Sequence, residues 1–219
     1  MKKLALLLII FLFSFFIEGY LGYVGIAENE NDGNSVIVRI KKEMERKAYL
    51  INLIQQIEAE SEVIIPNYVD IKYVEYMYDL SKKLELPTRM VFRLVYKESY
   101  FINTNVSREG AKGFFQVMPN TYKLYAEMLN IDTLKLDDNQ KNIYIGMYML
   151  KDLYVFWTER GNSEKYSWKL CLASYNAGMG KVLHYHGIPP YDETISYIKF
   201  ILQPPLNSQL VTTNYFAKK

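Results

Sequence analysis

The sequence predicts a mainly α-helical chain built around one principal globular domain. Over several long stretches apolar residues recur three and four positions apart, as one face of a helix requires, and clusters of Pro, Gly and Asn separate those stretches. No segment alternates apolar and polar residues as a half-buried strand would, and no internal repeat is visible. With 219 residues, 50% of them hydrophobic and 15% aromatic, the chain carries apolar material for one ordinary core. Its 26 basic and 24 acidic residues nearly balance, so bulk charge does not mark a nucleic-acid binder and no nucleic-acid partner is expected.

Taken in order, the first element is an export signal over residues 1–27. Lys2 and Lys3 precede a stretch from Leu4 to Ile17 that is apolar except for Ser14, and Gly25-Ile26-Ala27 offers the small residues a signal peptidase reads. These 14 residues fall short of the roughly 20 that span a bilayer as a helix. Extension through Tyr20 to Ile26 would instead make an uncleaved anchor, and only then is the membrane a partner. The expected location is periplasm or cell envelope. Cys171 is the only cysteine, which excludes a lipid-attachment cysteine near the N-terminus and an intramolecular disulfide; a buried thiol is expected.

Residues 28–36 are polar and read as a flexible spacer, and Ile37 to Glu60 reads as a helix outside the main domain, so that residues 28–65 form a spacer and an extra N-terminal helix. The main domain is expected over residues 66–203. A helix covers Ile71 to Leu84, and Pro87-Thr88 opens another that runs to about Glu98. Asn103 to Gly113 lacks helical periodicity and reads as a loop. Helices then follow from Asp137 to about Phe156, from Lys165 to Tyr175, and from an N-cap at Asp192 through Leu202. Pro204-Pro205 ends the last one, and residues 204–219 read as a loosely held tail.

One acidic residue departs from the pattern. Val91, Leu94, Val95 and Glu98 stand at i, i+3, i+4 and i+7, so a carboxylate continues an apolar stripe. The positions three and four residues away hold Val95, Leu94, Phe101 and Ile102, and no local cation accounts for it. Burial without a cationic partner raises a carboxyl pKa, as a general acid working near neutral pH requires. The alternative is a carboxylate at a frayed helix end, turned out to water.

Downstream residues bear on that choice. Glu98-Ser99 is followed nine positions after Glu98 by Ser107 and the run SREGAKGFFQVMPNT, then by Asn142-Ile143 with Gly146 and Leu150. LASYNAGMGKV from Leu172 to Val182 comes next, with Gly187-Ile188-Pro189-Pro190, Glu193-Thr194 and Tyr197 after it. Over about residues 70–203 these four blocks resemble, in order and spacing, the Slt-type lytic transglycosylases, relatives of goose-type lysozyme. Phe114-Phe115 stands where the family usually has Leu-Met, Met149 where it commonly has Tyr, and Ser174 in place of Ala; these changes bear on the shape of the glycan groove.

The resemblance implies a lysozyme-like domain acting on peptidoglycan glycan strands, a monomer, with no cofactor and no metal. It implies Glu98 as the catalytic acid and then base, with the substrate's own N-acetyl oxygen assisting where most glycosidases use a second carboxylate. Ser99, Ser107, Gln116, Met118, Tyr175, Asn176, Glu193 and Tyr197 are the implied substrate-binding set. Ser107 and Gln116 can exchange hydrogen bonds with sugar or peptide groups, and Met118 and Tyr197 are expected as groove wall. Tyr175 could supply a hydroxyl to the reacting centre or simply pack in the core, and Glu193 could line the groove or serve as a first-turn carboxylate.

Competing motifs are weaker. Gly178-x-Gly180 has Leu183 where a dinucleotide fingerprint needs glycine, and no strand precedes it. His184 and His186 lie in an expected loop without further clustered ligands, so a surface placement is favoured over a metal site. A muramidase on the same fold, or a non-catalytic glycan-binding part of an envelope-spanning secretion or conjugation assembly, are the other function classes.

Overall fold

The computed structural model describes residues 30–204, with side chains from residue 36 onward. The expected signal over residues 1–27 and the tail from residue 205 lie outside the described residues. Internal contacts group the chain into two units, Met1–Tyr49 and Leu50–Lys219. Among the described residues there are eight α-helices and a short 3-10 turn, with isolated β-bridges in place of strands.

The first helix, α1, spans Glu30–Ser61. It begins ahead of the expected Ile37, so the spacer reading of residues 28–36 gives way to helix from Glu30. Once a strong helix-forming run is nucleated, each added residue gains a hydrogen bond without a new nucleus, so the helix extends back through polar sequence. Within the second unit, Leu53 and Ile57 of α1 enter the core.

Helix α2, Ile71–Lys83, is capped by Asp70, whose side chain accepts from the Lys72 amide. Tyr73, Val74, Met77 and Leu80 fall on one face at helical spacing and are all buried. A tight connection through Leu86 and Pro87 leads to α3, Thr88–Ser99. This helix lies at the centre of the domain: Val91, Phe92, Leu94 and Val95 have no exposed surface. It packs on α2 and on the last helix, α8, Asp192–Leu202.

Two helices escaped the sequence reading. Helix α4, Pro119–Met128, has proline at its first position and no fully buried residue, so no apolar stripe announces it. Helix α7, Met179–His184, is a single short element behind Gly178. His184 therefore ends a helix, where a loop is expected. Between α4 and α7 lie α5, Asp138–Thr158, and α6, Glu164–Ala177. Asp137 and Gln140 form a reciprocal capping box at the start of α5. Asp192, expected as an N-cap, is instead the first residue of α8, with Tyr191 in the cap position; Asp192 and Glu193 thus fall in the first turn, where the helix dipole favours carboxylates.

Helix α6 packs on α5, α7 and α8. Cys171 is buried, as expected, and its thiol lies 3.4 Å from the Leu150 carbonyl. Ser174 accepts a 2.9 Å bond from the Trp157 indole, so the hydroxyl that replaces alanine is satisfied inside the core. Tyr154 stacks on Trp168 at 3.9 Å.

Arg93 ties the ends of two helices to α3. Its guanidinium is nearly inaccessible and donates to the Ser61 carbonyl at 2.6 Å, the Phe200 carbonyl at 2.6 Å, the Gln203 carbonyl at 3.3 Å and the Glu62 carboxylate at 2.6 Å. Carbonyls at a helix C-terminus lack intrahelical partners, and Arg93 supplies donors at the ends of both α1 and α8.

Close packing between α5 and the loop before α4 explains Gly146. A Cβ built there would stand 2.4 Å from the Phe115 side chain, which is itself buried. Gly146→Ala is expected to destabilise the fold by about 1–3 kcal/mol through overpacking. Denaturant unfolding checks this, and an unchanged midpoint would show that Phe115 has room to move.

Candidate active site

Glu98 lies in the last turn of α3. The chain then reverses through two left-handed residues, Tyr100 (φ 51°) and Phe101 (φ 62°). Non-glycine side chains resist this conformation, and packing holds it here: Phe101 is buried and its ring lies 6.3 Å from that of Phe92. Ser99 is wholly buried and donates to the Val95 carbonyl at 3.2 Å and the Phe114 carbonyl at 2.9 Å. Expected among the substrate-binding residues, Ser99 instead ties the end of α3 to the following loop, because both its contacts are backbone carbonyls inside the protein.

The Glu98 carboxyl is partly buried, and the apolar stripe predicted beneath it is fully buried. Tyr197 of α8 donates to Glu98 Oε1 at 2.5 Å. Tyr197, expected on the groove wall, is buried with its hydroxyl turned onto Glu98, so it holds the acid and does not line an open surface. Removal from water pushes the Glu98 carboxyl up to about 7, the nearby Glu193 charge adds to this, and the Tyr197 hydrogen bond and Lys97 oppose it. Burial likewise holds the Tyr197 hydroxyl well above its usual range, so it remains a donor throughout.

Tyr175 of α6 is close enough for the Glu98 charge to raise its own pKa, although burial is the larger cause. Its hydroxyl donates to the Phe115 carbonyl at 2.8 Å. The proton is thereby committed to the loop, while the oxygen keeps acceptor capacity. Asn176 links the end of α6 to the start of α8: its Oδ1 accepts from Thr194 at 2.7 Å, and its Nδ2 lies 3.5 Å from exposed Glu193. The helices bearing Tyr175 and Tyr197 are fastened together beside the carboxyl.

Residues 105–118 form a tight loop tied to the end of α3 through Ser99 and to α6 through Tyr175. Val106 bridges Lys112, and Lys112 bridges Val117. Ser107 Oγ accepts from the Glu109 and Ala111 amides and donates to Glu109, which folds its own turn. Gln116, at φ 44°, donates to the Asn105 and Gly113 carbonyls. Met118 is exposed and precedes α4. Tyr197 alone of the expected set is hydrogen-bonded to Glu98; Tyr175 and Glu193 are near enough for charge to couple them to it, and no hydrogen bond or ion pair joins Ser107, Gln116 or Met118 to Glu98 among the described residues. Asn142, noted only as part of a motif, is the buried support of that loop: it accepts from the Phe115 amide at 3.1 Å and donates to the Lys112 carbonyl at 2.9 Å. A side chain at Gly113 would collide with it at 2.6 Å. The signal in sequence was the pairing of Gly113 with Asn142, which spacing alone does not reveal.

The raised pKa has a consequence for stability. Between the ordinary 4.5 and about 7 the folded protein retains a proton that the unfolded chain has released. Glu98 therefore makes its full contribution below that window, loses it as pH rises through it, and is constant above it. Glu98→Gln is expected to remove this slope and to gain on the parent by up to about 3 kcal/mol by pH 8. Unfolding measured from pH 4 to pH 8 checks it; parallel curves would place Glu98 at an ordinary pKa.

Residues 75–197 match the family described as the transglycosylase SLT domain. The chain is 26% identical over 163 residues to a membrane-bound lytic murein transglycosylase C of Actinobacillus succinogenes, an alignment covering 69% of this chain and 44% of that protein. The chain thus spans less than half the length of this relative. Among solved structures it is similar to the 70 kDa soluble lytic transglycosylase of Escherichia coli, with TM-score 0.49, 26% identity and coverage of 59% of this chain and 23% of that one. A complex of the 70 kDa soluble lytic transglycosylase with bulgecin A gives TM-score 0.50 at 24% identity, covering 67% of this chain and 25% of that one, and shares the lysozyme-like fold. With its helical fold and more than half its length matched, the chain belongs to the transglycosylase SLT domain family.

Proposed function

We propose that this protein is a peptidoglycan lytic transglycosylase that cleaves the β-1,4 bond between N-acetylmuramic acid and N-acetylglucosamine and leaves a 1,6-anhydro muramic end. The observation that carries the reading is the Glu98 carboxyl, largely removed from water, in no salt bridge among the described residues, and pushed up to about 7. A group poised there can release a proton and take one back at neutral pH. Family membership and the murein-cleaving relative support the substrate class.

In the proposed cycle Glu98 gives its proton to the glycosidic oxygen as the bond to C1 breaks, and the acetamido oxygen of the muramic residue supports C1. The Glu98 carboxylate then takes the proton of the same residue's C6 hydroxyl as that oxygen bonds to C1. The proton is restored to Glu98 and no water is consumed. Tyr197 donates to the carboxylate formed midway, when a hydrogen bond to it is worth most. Ser107, Gln116 and Met118 shape one side of the glycan groove, and Tyr175, Asn176 and Glu193 the other; Ser99 positions the end of the catalytic helix. The same grounds favour action in the cell envelope, and local opening of the wall for a secretion or conjugation assembly is a role that such an activity would fit.

Mass spectrometry of fragments released from purified peptidoglycan tests the reaction. Anhydromuramic ends are expected, with the rate lowered about 10²–10⁴-fold in Glu98→Gln. Reducing muramic ends would indicate hydrolysis, and binding without release would indicate a non-catalytic role. Tyr197→Phe removes a bond that lowers the Glu98 pKa, so the alkaline limb of kcat/KM is expected to move up by about one pH unit. An unmoved limb would show that Tyr197 serves packing alone.

A further inference from the structure

Helix α1 carries a solvent-exposed apolar face along residues 36–48, with no apolar partner for it among the described residues. At 100° per residue, Val36, Ile40, Met44, Ile37 and Ala48 fall within a sector about 120° wide. Three of these are large apolar residues left open to solvent: Val36 is 49% exposed, Ile37 45% and Ile40 38%. The same segment holds five cationic side chains, Arg39, Lys41, Lys42, Arg46 and Lys47, against Glu43 and Glu45. Lys41 flanks the apolar sector, while Arg39, Lys42 and Arg46 lie on the opposite side. Lys47 falls within it, paired with Glu43 at 3.0 Å, and its long stem can lie along the apolar surface with the ammonium in water.

We propose that residues 36–48 of α1 dock in the plane of an anionic lipid bilayer, with Val36, Ile37, Ile40 and Met44 sunk into the interface, Lys41 and Lys47 at the headgroups, and the remaining cations on the water side within reach of the surface potential. A second copy of the helix is the poorer occupant. In a parallel pair keeping Ile37, Ile40 and Met44 at the seam, Lys47 takes the next seam position, and Glu43 would face Ala48 where a cation is wanted. Spanning is ruled out for this segment, since no helix among the described residues is long and apolar enough to cross a membrane. A narrow apolar sector with a polar face rich in Lys and Arg is the pattern of helices that lie on membranes. None of the residues 36–48 belongs to the set grouped around Glu98, and the inference does not rest on the activity proposed for that site.

The test uses the full chain carrying one nitroxide, at Ile40→Cys or at Lys42→Cys. Cys171 is buried and not competing for label. Paramagnetic accessibility is read on vesicles of phosphatidylglycerol and phosphatidylcholine, and on phosphatidylcholine alone. On the anionic vesicles the label at position 40 is expected to become several-fold more accessible to oxygen than to a water-soluble nickel chelate. The label at position 42 should stay aqueous. Adding Arg39→Gln and Lys41→Gln should weaken the docked state about thirtyfold, from about fivefold per cation. Two water-exposed labels on anionic vesicles would overturn the proposal. So would equal insertion into phosphatidylcholine alone, or spin–spin broadening at position 40 in place of lipid contact, which would mark a second copy as the occupant.

Discussion

Helix α3 must stay buried on almost every side while ending in a carboxyl, and the rest of the domain answers that constraint. Val91, Phe92, Leu94 and Val95 leave it no solvent face in its middle turns, so Glu98 can leave the core only at the last turn. Water is scarce there, and the charged form of the carboxyl is disfavoured. Arg93, five positions earlier, fastens the same helix to the ends of α1 and α8. The helix that carries the acid and the helix that carries Tyr197 are thereby locked in register, which a hydrogen bond of 2.5 Å between them requires.

A second arrangement fixes the loop that follows the acid-bearing helix. Asn142 holds the backbone at Lys112 and Phe115, Gly113 leaves room for it, and Gly146 leaves room for Phe115. Phe115 in turn offers its carbonyl to Tyr175. The loop, α5 and α6 are therefore coupled through contacts that tolerate little change in size. The substituted pair Phe114-Phe115 is absorbed by this packing, since both rings are buried, and Ser174 by its bond from Trp157. These departures alter the buried packing of the loop and α6 more than the hydrogen bond made to Glu98.

Much of this was legible in sequence. The spacing of Val91, Leu94, Val95 and Glu98 revealed a carboxylate on a buried face, and the bounds of α2, α3 and α5 followed from periodicity and proline. Helix α4 was not legible because it has no fully buried residue and thus no stripe, and α7 because a six-residue helix is too short to show one. Tyr197 could be placed on α8 but not aimed: which tyrosine meets Glu98 depends on how α8 crosses α3. Ser99 read as a site residue because it adjoins Glu98 in sequence, yet neighbours on a helix point about 100° apart, and this one points inward. Arg93 gave no sign at all, since its partners, three carbonyls and the Glu62 carboxylate, are far away in the chain.

Everything proposed for the chemistry turns on the protonation of one group. Selective ¹³C labelling of glutamate carboxyls, with Glu98→Gln to assign the resonance, would give the Glu98 titration directly from the carbon shift. A midpoint near 7 is expected, against the ordinary carboxyl value near 4.5. A midpoint at or below 4.5 would contradict the account, since Glu98 would then be ionised at neutral pH with no proton to give.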